Sequence, residues 1–281
     1  MTFKLALVQP KTYFGKENDV NEKNLKSALN YIDEASENKA DIICLPETYP
    51  GPWRKPVDWT PIPALQKKAK EKSVYILAGT AEKSIKDPEK HNIVMVIINR
   101  DGEIVGKYRR TTPPGPWAYP GGKFWDLDYE EADELPVFET EFGKIGILMC
   151  SEVYVPELAR ILALKGAEIL FMPAGGVKVD LNPTWRTLIF ARAIENLAYN
   201  VTTQNIFGVE EGLAMVTSPE EIILEEKKTG VYYADIDLER VRWLRKQKDK
   251  IIYPLPYRTK PGTLDQWRRE EIYSYLINSQ E

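Results

Sequence analysis

Lys144-Ile-Gly-Ile-Leu-Met-Cys150-Ser-Glu-Val-Tyr-Val-Pro156-Glu-Leu-Ala-Arg160 holds a strand, a corner and the start of a helix in one short stretch. Ile145 to Met149 is an apolar run of strand length. Pro156 stands where the first turn of a helix opens, a place that tolerates proline because the missing N–H would have no partner there anyway. Leu158, Ile161, Leu162 and Lys165 then follow at helical spacing. A thiol at such a corner has its sulfur at the rim of a sheet, near free backbone N–H groups that favour the thiolate. Taken alone, a cysteine beside an apolar strand is more often a small hydrophobe. The rest of the chain has to decide between the two.

Further strand-like runs lie at Lys4–Gln9, Asp41–Leu45, Val74–Gly79, Ile93–Ile98, Ile169–Met172, Asn200–Thr203, Leu213–Thr217 and Val231–Ile236. Helical periodicity covers Val20–Asn38, with Leu25, Ala28, Leu29, Ile32 and Ala35 on one face. Pro61–Lys72, Pro156–Gly166 and Pro183–Ala198 each carry proline at or near their start. Strands alternating with helices in the first and third quarters predict an α/β layered fold. Closely spaced strands from Val74 to Tyr108 and from Tyr199 to Asp237 imply antiparallel pairs, hence mixed sheets. With no linker, repeat or low-complexity segment, residues 1–281 read as a single domain. A C-terminal tail from about Trp243 is expected to drape over a neighbouring copy, in a homodimer or higher homo-oligomer.

A net charge of −4 gives no case for binding nucleic acid or an anionic membrane surface, and no apolar run spans a bilayer. The cysteines, Cys44 and Cys150, each follow a hydrophobic run, which suits a reducing, cytoplasmic compartment better than a disulfide framework. The single histidine, His91, is expected at a solvated strand start between Lys90 and Asn92. One histidine and two distant cysteines cannot make a conventional zinc site, so neither metal nor cofactor is expected. A nucleophilic Cys150 would then take a carboxylate as its base.

Two more strand ends carry chemistry. In Asp41-Ile-Ile-Cys-Leu-Pro-Glu47 a carboxylate stands just past an apolar strand, and Gly106-Lys-Tyr-Arg-Arg110 is a strand ending in paired cations. With Gly146-Ile-Leu-Met-Cys150, these stretches resemble the nitrilase superfamily of carbon–nitrogen hydrolases, whose Glu-Lys-Cys set rides on matching stretches in the same order. The likeness extends from Leu7-Val-Gln9 through Val137–Gly146 to Arg192–Asn196 and Gly230–Asp237. It implies a four-layer α-β-β-α sandwich of two mixed β-sheets. It also implies hydrolysis of a non-peptide C–N bond through a thioester on Cys150, with Glu47 as base and no cofactor. The strands lack clean polar alternation, which agrees with sheets covered on both faces.

One position departs from the pattern: Arg110 stands where the family has its lysine. Arginine can stabilise an oxyanion with its fixed donors but cannot give up a proton. Lys107 lies an odd number of residues from Arg110 on an extended strand and so points to the other face. Three readings stay open: Arg110 fills the lysine's role, Lys123 substitutes for it, or the chain is a non-catalytic ligand-binding homologue. A second acid of the site would be Asp126, Asp128 or Glu130, or Glu152 just after the cysteine. Trp53, Trp117, Tyr119, Trp125 and Tyr154 flank these stretches and could line a pocket for a small, partly apolar substrate. Ser151, where nitrilases proper usually have tryptophan, tilts the expectation from a nitrile or N-carbamoyl compound toward an amide. An α/β-hydrolase of another type is disfavoured by the absence of a Gly-x-Ser-x-Gly elbow.

Overall fold

Neighbouring residues of the first strand, β1 (Thr2–Gln9), enter different cores: Leu5 and Leu7 join one apolar cluster, Ala6 and Val8 a second. All four are fully buried, as a strand covered on both faces requires. The computed structural model describes residues 2–15, 19–54, 57–112, 128–177, 179–208, 211–247, 253–273 and 276.

In chain order, β1 is followed by α1 (Val20–Glu37), β2 (Ile42–Cys44), α2 (Ile62–Lys72), β3 (Tyr75–Lys83), β4 (His91–Ile98) and β5 (Ile104–Arg109). Then come β6 (Val137–Thr140), β7 (Gly143–Ile147), α3 (Pro156–Leu164), β8 (Ile169–Phe171), α4 (Asn182–Asn196) and β9 (Tyr199–Thr202). The remaining elements are β10 (Ala214–Thr217), β11 (Ile222–Glu226), β12 (Gly230–Asp237) and α5 (Leu238–Lys246). They build two six-stranded sheets, in the orders β12-β1-β2-β3-β4-β5 and β6-β7-β8-β9-β10-β11. In each, the second, third and fourth strands are parallel and the others antiparallel. The two halves thus repeat one topology, with helical crossovers joining the parallel strands.

Three cores separate four layers. Ala28, Ile32 and Ala35 of α1 and Leu65 and Ala69 of α2 pack on the outer face of the first sheet. Ala159 and Leu162 of α3 and Trp185 and Ile189 of α4 do the same for the second. Between the sheets lie Leu5, Leu7, Ile42, Met95 and Ile97 from one side and Ile145, Ile147, Ile169, Phe171 and Val201 from the other. The architecture is therefore an α-β-β-α sandwich with mixed sheets.

The structure departs from the sequence reading in three places. Edge strands β6 and β11 were not predicted, since each is short and half-exposed, without a run of buried apolar residues. The tail expected from Trp243 starts inside α5, which buries Leu238, Val241 and Leu244 and is capped by Asp237 accepting the Glu239 N–H at 3.1 Å. His91 is buried (4% exposed) rather than solvated, because residues 128–130 run beside it: its N–H donates to the Asp128 carbonyl at 2.7 Å and its carbonyl accepts from Glu130 at 2.9 Å. Among the described residues no helix is long and apolar enough to cross a membrane.

Candidate active site

Three strand ends converge at one edge of the sandwich. Past β7 the parallel ladder continues, with Leu148 donating to the Phe171 carbonyl and Cys150 to the Pro173 carbonyl, both at 2.9 Å. At Cys150 the backbone then swings to φ +52°, entering a 3-10 turn over Cys150–Tyr154 and, after Val155, α3. The left-handed region is costly for a residue with a Cβ, about 1–2 kcal/mol, and persists only where the surroundings dictate it. Here the strand on one side and the helix on the other do so.

Glu47 follows β2 in a similarly tight path. Leu45 extends the ladder by donating to the Leu77 carbonyl at 2.9 Å, and Thr48 has φ +51°. This turn lies flat on Gly79, where a Cβ would stand 2.1 Å from the Thr48 nitrogen and 2.6 Å from the Pro46 oxygen. Only glycine leaves that room. From the opposite sheet, Asn205 donates its amide to the Glu47 carbonyl at 2.9 Å, and the Thr12 hydroxyl holds the Asn205 oxygen at 2.7 Å.

Arg110 continues β5 by donating its N–H to the Ile93 carbonyl at 3.0 Å. Its guanidinium is held in three directions: Nη1 donates to Glu47 Oε1 at 2.8 Å, Nη2 to the Ser151 hydroxyl, and Nε to the Thr112 carbonyl at 3.0 Å. The Glu47–Arg110 pair is almost dry, with side chains 1% and 3% exposed. Such a pair adds little net stability, but removing one partner strands a buried charge. The Gly175 N–H lies close enough to both the Glu47 carboxylate and the Cys150 sulfur to favour their charged forms, and the Ser151 N–H does the same for that sulfur. Glu47, Arg110 and Cys150 therefore come together in one cluster.

Burial sets the protonation. It pushes the Cys150 thiol up to about 11, the Glu47 charge adding to the rise while Arg110 and the two N–H groups oppose it. Burial also lifts Glu47 above its ordinary value, against the pull of Arg110. Burial works against the charge of Arg110 as well, but Glu47, Cys150 and Glu152 outweigh it and keep the guanidinium protonated. Cys150 thus rests as a thiol near neutrality, beside a Glu47 carboxyl that burial makes more basic than usual. That arrangement favours transfer of the thiol proton during attack over a standing thiolate.

Lys107 and Arg109 both pair with Glu82 on the outer face of the first sheet, away from Arg110. Asp128 is exposed, and Glu130 takes the Ser84 hydroxyl outside the pocket. Trp117, Tyr119, Lys123, Trp125 and Asp126 lie outside the described residues. Trp53 is buried edge-on to Phe207, with ring centroids 5.3 Å apart, and Phe207 lies against Gly176. Tyr154 is exposed and tilts against Trp185 with centroids 6.1 Å apart. Glu152 is fully buried below the cysteine turn with both oxygens occupied by protein donors, so it does not line a substrate pocket. Sequence reasoning missed Gly79, Gly175, Asn205 and Tyr129. The last is a buried phenol within electrostatic reach of Glu47 and Arg110. The Gly175-Gly176 pair just past β8 was the available signal, since paired glycines at a strand end often let a backbone N–H approach a reacting group. Among the described residues no His, Cys, Asp or Glu group could hold a metal ion.

The sequence model of the carbon-nitrogen hydrolase family matches residues 4–246. The chain belongs to that family. This carbon-nitrogen hydrolase is 28% identical to the omega-amidase NIT2 of Bos taurus over 269 residues, covering 88% of this chain and 92% of that protein. It is 32% identical to a nitrilase of Pyrococcus abyssi over 244 residues, covering 79% of this chain and 86% of the other. Its fold is that of a carbon-nitrogen hydrolase from Helicobacter pylori G27, with a TM-score of 0.78, 22% identity and 99% of both chains covered. The protein is a hydrolase of the amidase/nitrilase type.

Proposed function

We propose that this hydrolase cleaves the C–N bond of a small, partly apolar amide through a thioester on Cys150. The observation carrying this reading is that Arg110 links a buried Glu47 to Ser151, the residue after Cys150, at the left-handed corner where Cys150 leaves its strand. Glu47 takes the thiol proton as sulfur bonds to the amide carbon. Arg110 and the Ser151 N–H balance the negative charge that develops on oxygen. The proton on Glu47 passes to nitrogen as the C–N bond breaks and ammonia or an amine leaves. Water then gives a proton to Glu47, its oxygen bonds to the acyl carbon, the C–S bond breaks and the proton returns to sulfur. Arg110 suits a role of fixed charge, because it never needs to exchange a proton in this sequence.

An aromatic row supports the apolar preference: Phe14, 44% exposed, meets Phe207 at 5.3 Å, and Phe207 meets both Trp53 and Gly176. Ser151 after the nucleophile favours amide over nitrile, while the name of the Pyrococcus relative keeps nitriles in the test. The exposed apolar residues Tyr253, Leu255, Trp267 and Ile272 after α5 support packing of this segment on a second copy. A panel of amides, N-carbamoyl compounds and nitriles scored for ammonia release is the direct test, with hydroxylamine to trap the acyl group. An acyl adduct on Cys150 by mass spectrometry is the expected result. Turnover with no adduct and no hydroxamate would overturn the thioester route.

A further inference from the structure

Glu152 joins the strand end that carries the cation to the one that carries the nucleophile. Its Oε1 accepts from the Thr111 N–H at 2.9 Å and the Thr111 hydroxyl at 2.8 Å. Its Oε2 accepts from the Met149 N–H at 2.6 Å, and the Tyr108 hydroxyl lies 2.8 Å from both oxygens. Tyr108 and Thr111 bracket Arg110 just past β5, whereas Met149 immediately precedes Cys150 past β7. These strands belong to different sheets, so no backbone ladder sets the distance between Arg110 and Cys150.

The chemistry of the clamp is selective. Four donors converge on two oxygens, a pattern that suits an ionised carboxylate, which only accepts. Glutamine would turn an N–H₂ toward either the Met149 N–H or the Thr111 donors, opposing donor with donor. Aspartate, one methylene shorter, would not reach both strand ends at these lengths. Glu152 is fully buried, so it has no path to a bound substrate.

We propose that Glu152 is a positioning residue that fixes the guanidinium of Arg110 relative to the sulfur of Cys150 by clamping the end of β5 to the turn after β7. This rests on the reading of Cys150 as nucleophile and Arg110 as its charge partner. A half-buried carboxylate elsewhere in the fold supplies the control. Glu168 binds the Arg242 fork at 2.6 and 3.0 Å and the Lys144 N–H at 3.3 Å, at the start of β7 and β8 rather than their ends.

The test compares Glu152→Gln, Thr111→Val, their double variant and Glu168→Gln in three measurements: kcat and KM on one accepted amide, the rate of Cys150 alkylation by iodoacetamide, and melting temperature. Glu152→Gln is expected to lower kcat about 100-fold, the scale of a misplacement near 1 Å, with KM nearly unchanged. Thr111→Val should lower kcat less, and the double variant no further than Glu152→Gln alone, since both break one clamp. Cys150 alkylation should slow in the same order. Glu168→Gln should lower the melting temperature and leave both rates alone. Wild-type kcat in Glu152→Gln, or a rise in KM at constant kcat, overturns the proposal. If Glu152→Gln does not fold, Thr111→Val decides: unaltered kcat and alkylation in that variant sink the clamp. If the wild type turns over no amide, the proposed function fails, while the alkylation rates still test the clamp by themselves.

Discussion

Cys44 and Cys150 both follow apolar strands, the first fully buried and the second half-buried, and only the second is placed to react. Cys44 is the last residue of β2, pointing into the core between the sheets, where its thiol donates weakly to the Leu45 carbonyl at 3.6 Å. Burial alone drives its pKa far above the ordinary value. Cys150 is raised less, because Arg110 and the N–H groups of Gly175 and Ser151 oppose the burial. The difference is a matter of backbone. Cys44 keeps strand geometry, while Cys150 leaves its strand at φ +52° and so meets donors from neighbouring loops. What sets Cys150 apart is a corner and the N–H groups around it, and the apolar strand before it is common to both.

The sharpest way to break this comparison is to remove each sulfur in turn. Cys150→Ala should abolish ammonia release with the fold retained, whereas Cys44→Ala should keep turnover. Equal activity in the two variants would end the thioester route. The next effect concerns the cation. Arg110→Ala should cost about 2.7–4 kcal/mol of transition-state stabilisation, the range for losing one oxyanion donor, measured as kcat/KM. Arg110→Lys should lose less but still lose, because a single ammonium cannot meet Glu47, Ser151 and Thr112 together in their fixed directions. Lysine activity equal to wild type would mean that the fork geometry is idle.

The pH profile sharpens the contrast further. Protonating Glu47 removes the base, so kcat/KM should fall as pH drops, with an acid limb above the 4.5 of an ordinary glutamate because burial raises this one. Alkylation of Cys150 by iodoacetamide should accelerate as pH climbs toward about 11, while Cys44 stays unlabelled in the folded protein. An acid limb at or below the ordinary value would contradict the burial of the Glu47 charge. The smallest effect is on stability: Cys44→Ala should cost about 1 kcal/mol in chemical denaturation, the scale for deleting one buried side-chain atom without collapse of the site.

The sequence made the parallel strands and their crossover helices legible because each buries a continuous apolar run or a periodic face. Glu47, Arg110 and Cys150 were legible as strand-end residues once their three stretches were read together. The edges of the second sheet were not: β6 and β11 are held by ladder partners that local composition does not encode. Helix α5 carried its signal in Leu238, Val241 and Leu244, three residues apart, but the aromatic and basic residues around Trp243 masked it. The support of the site was hidden for another reason. Gly79, Asn205 and Gly175 reach it from strands far along the chain, and no spacing rule links a turn to the glycine lying under it.

Glu47 and Arg110 ride on one sheet, Cys150 and Gly175 on the other, so the site straddles a seam that the strand ladder of neither sheet crosses. The two halves act like the jaws of a vice whose screw is the apolar filling between them. Sliding one jaw by an ångström would leave both sheets intact and still part the sulfur from its base. Thiol reactivity is therefore a gauge of how squarely the jaws meet, and gentle heating or a loosened Met95 or Met149 should blunt it well before either sheet comes undone.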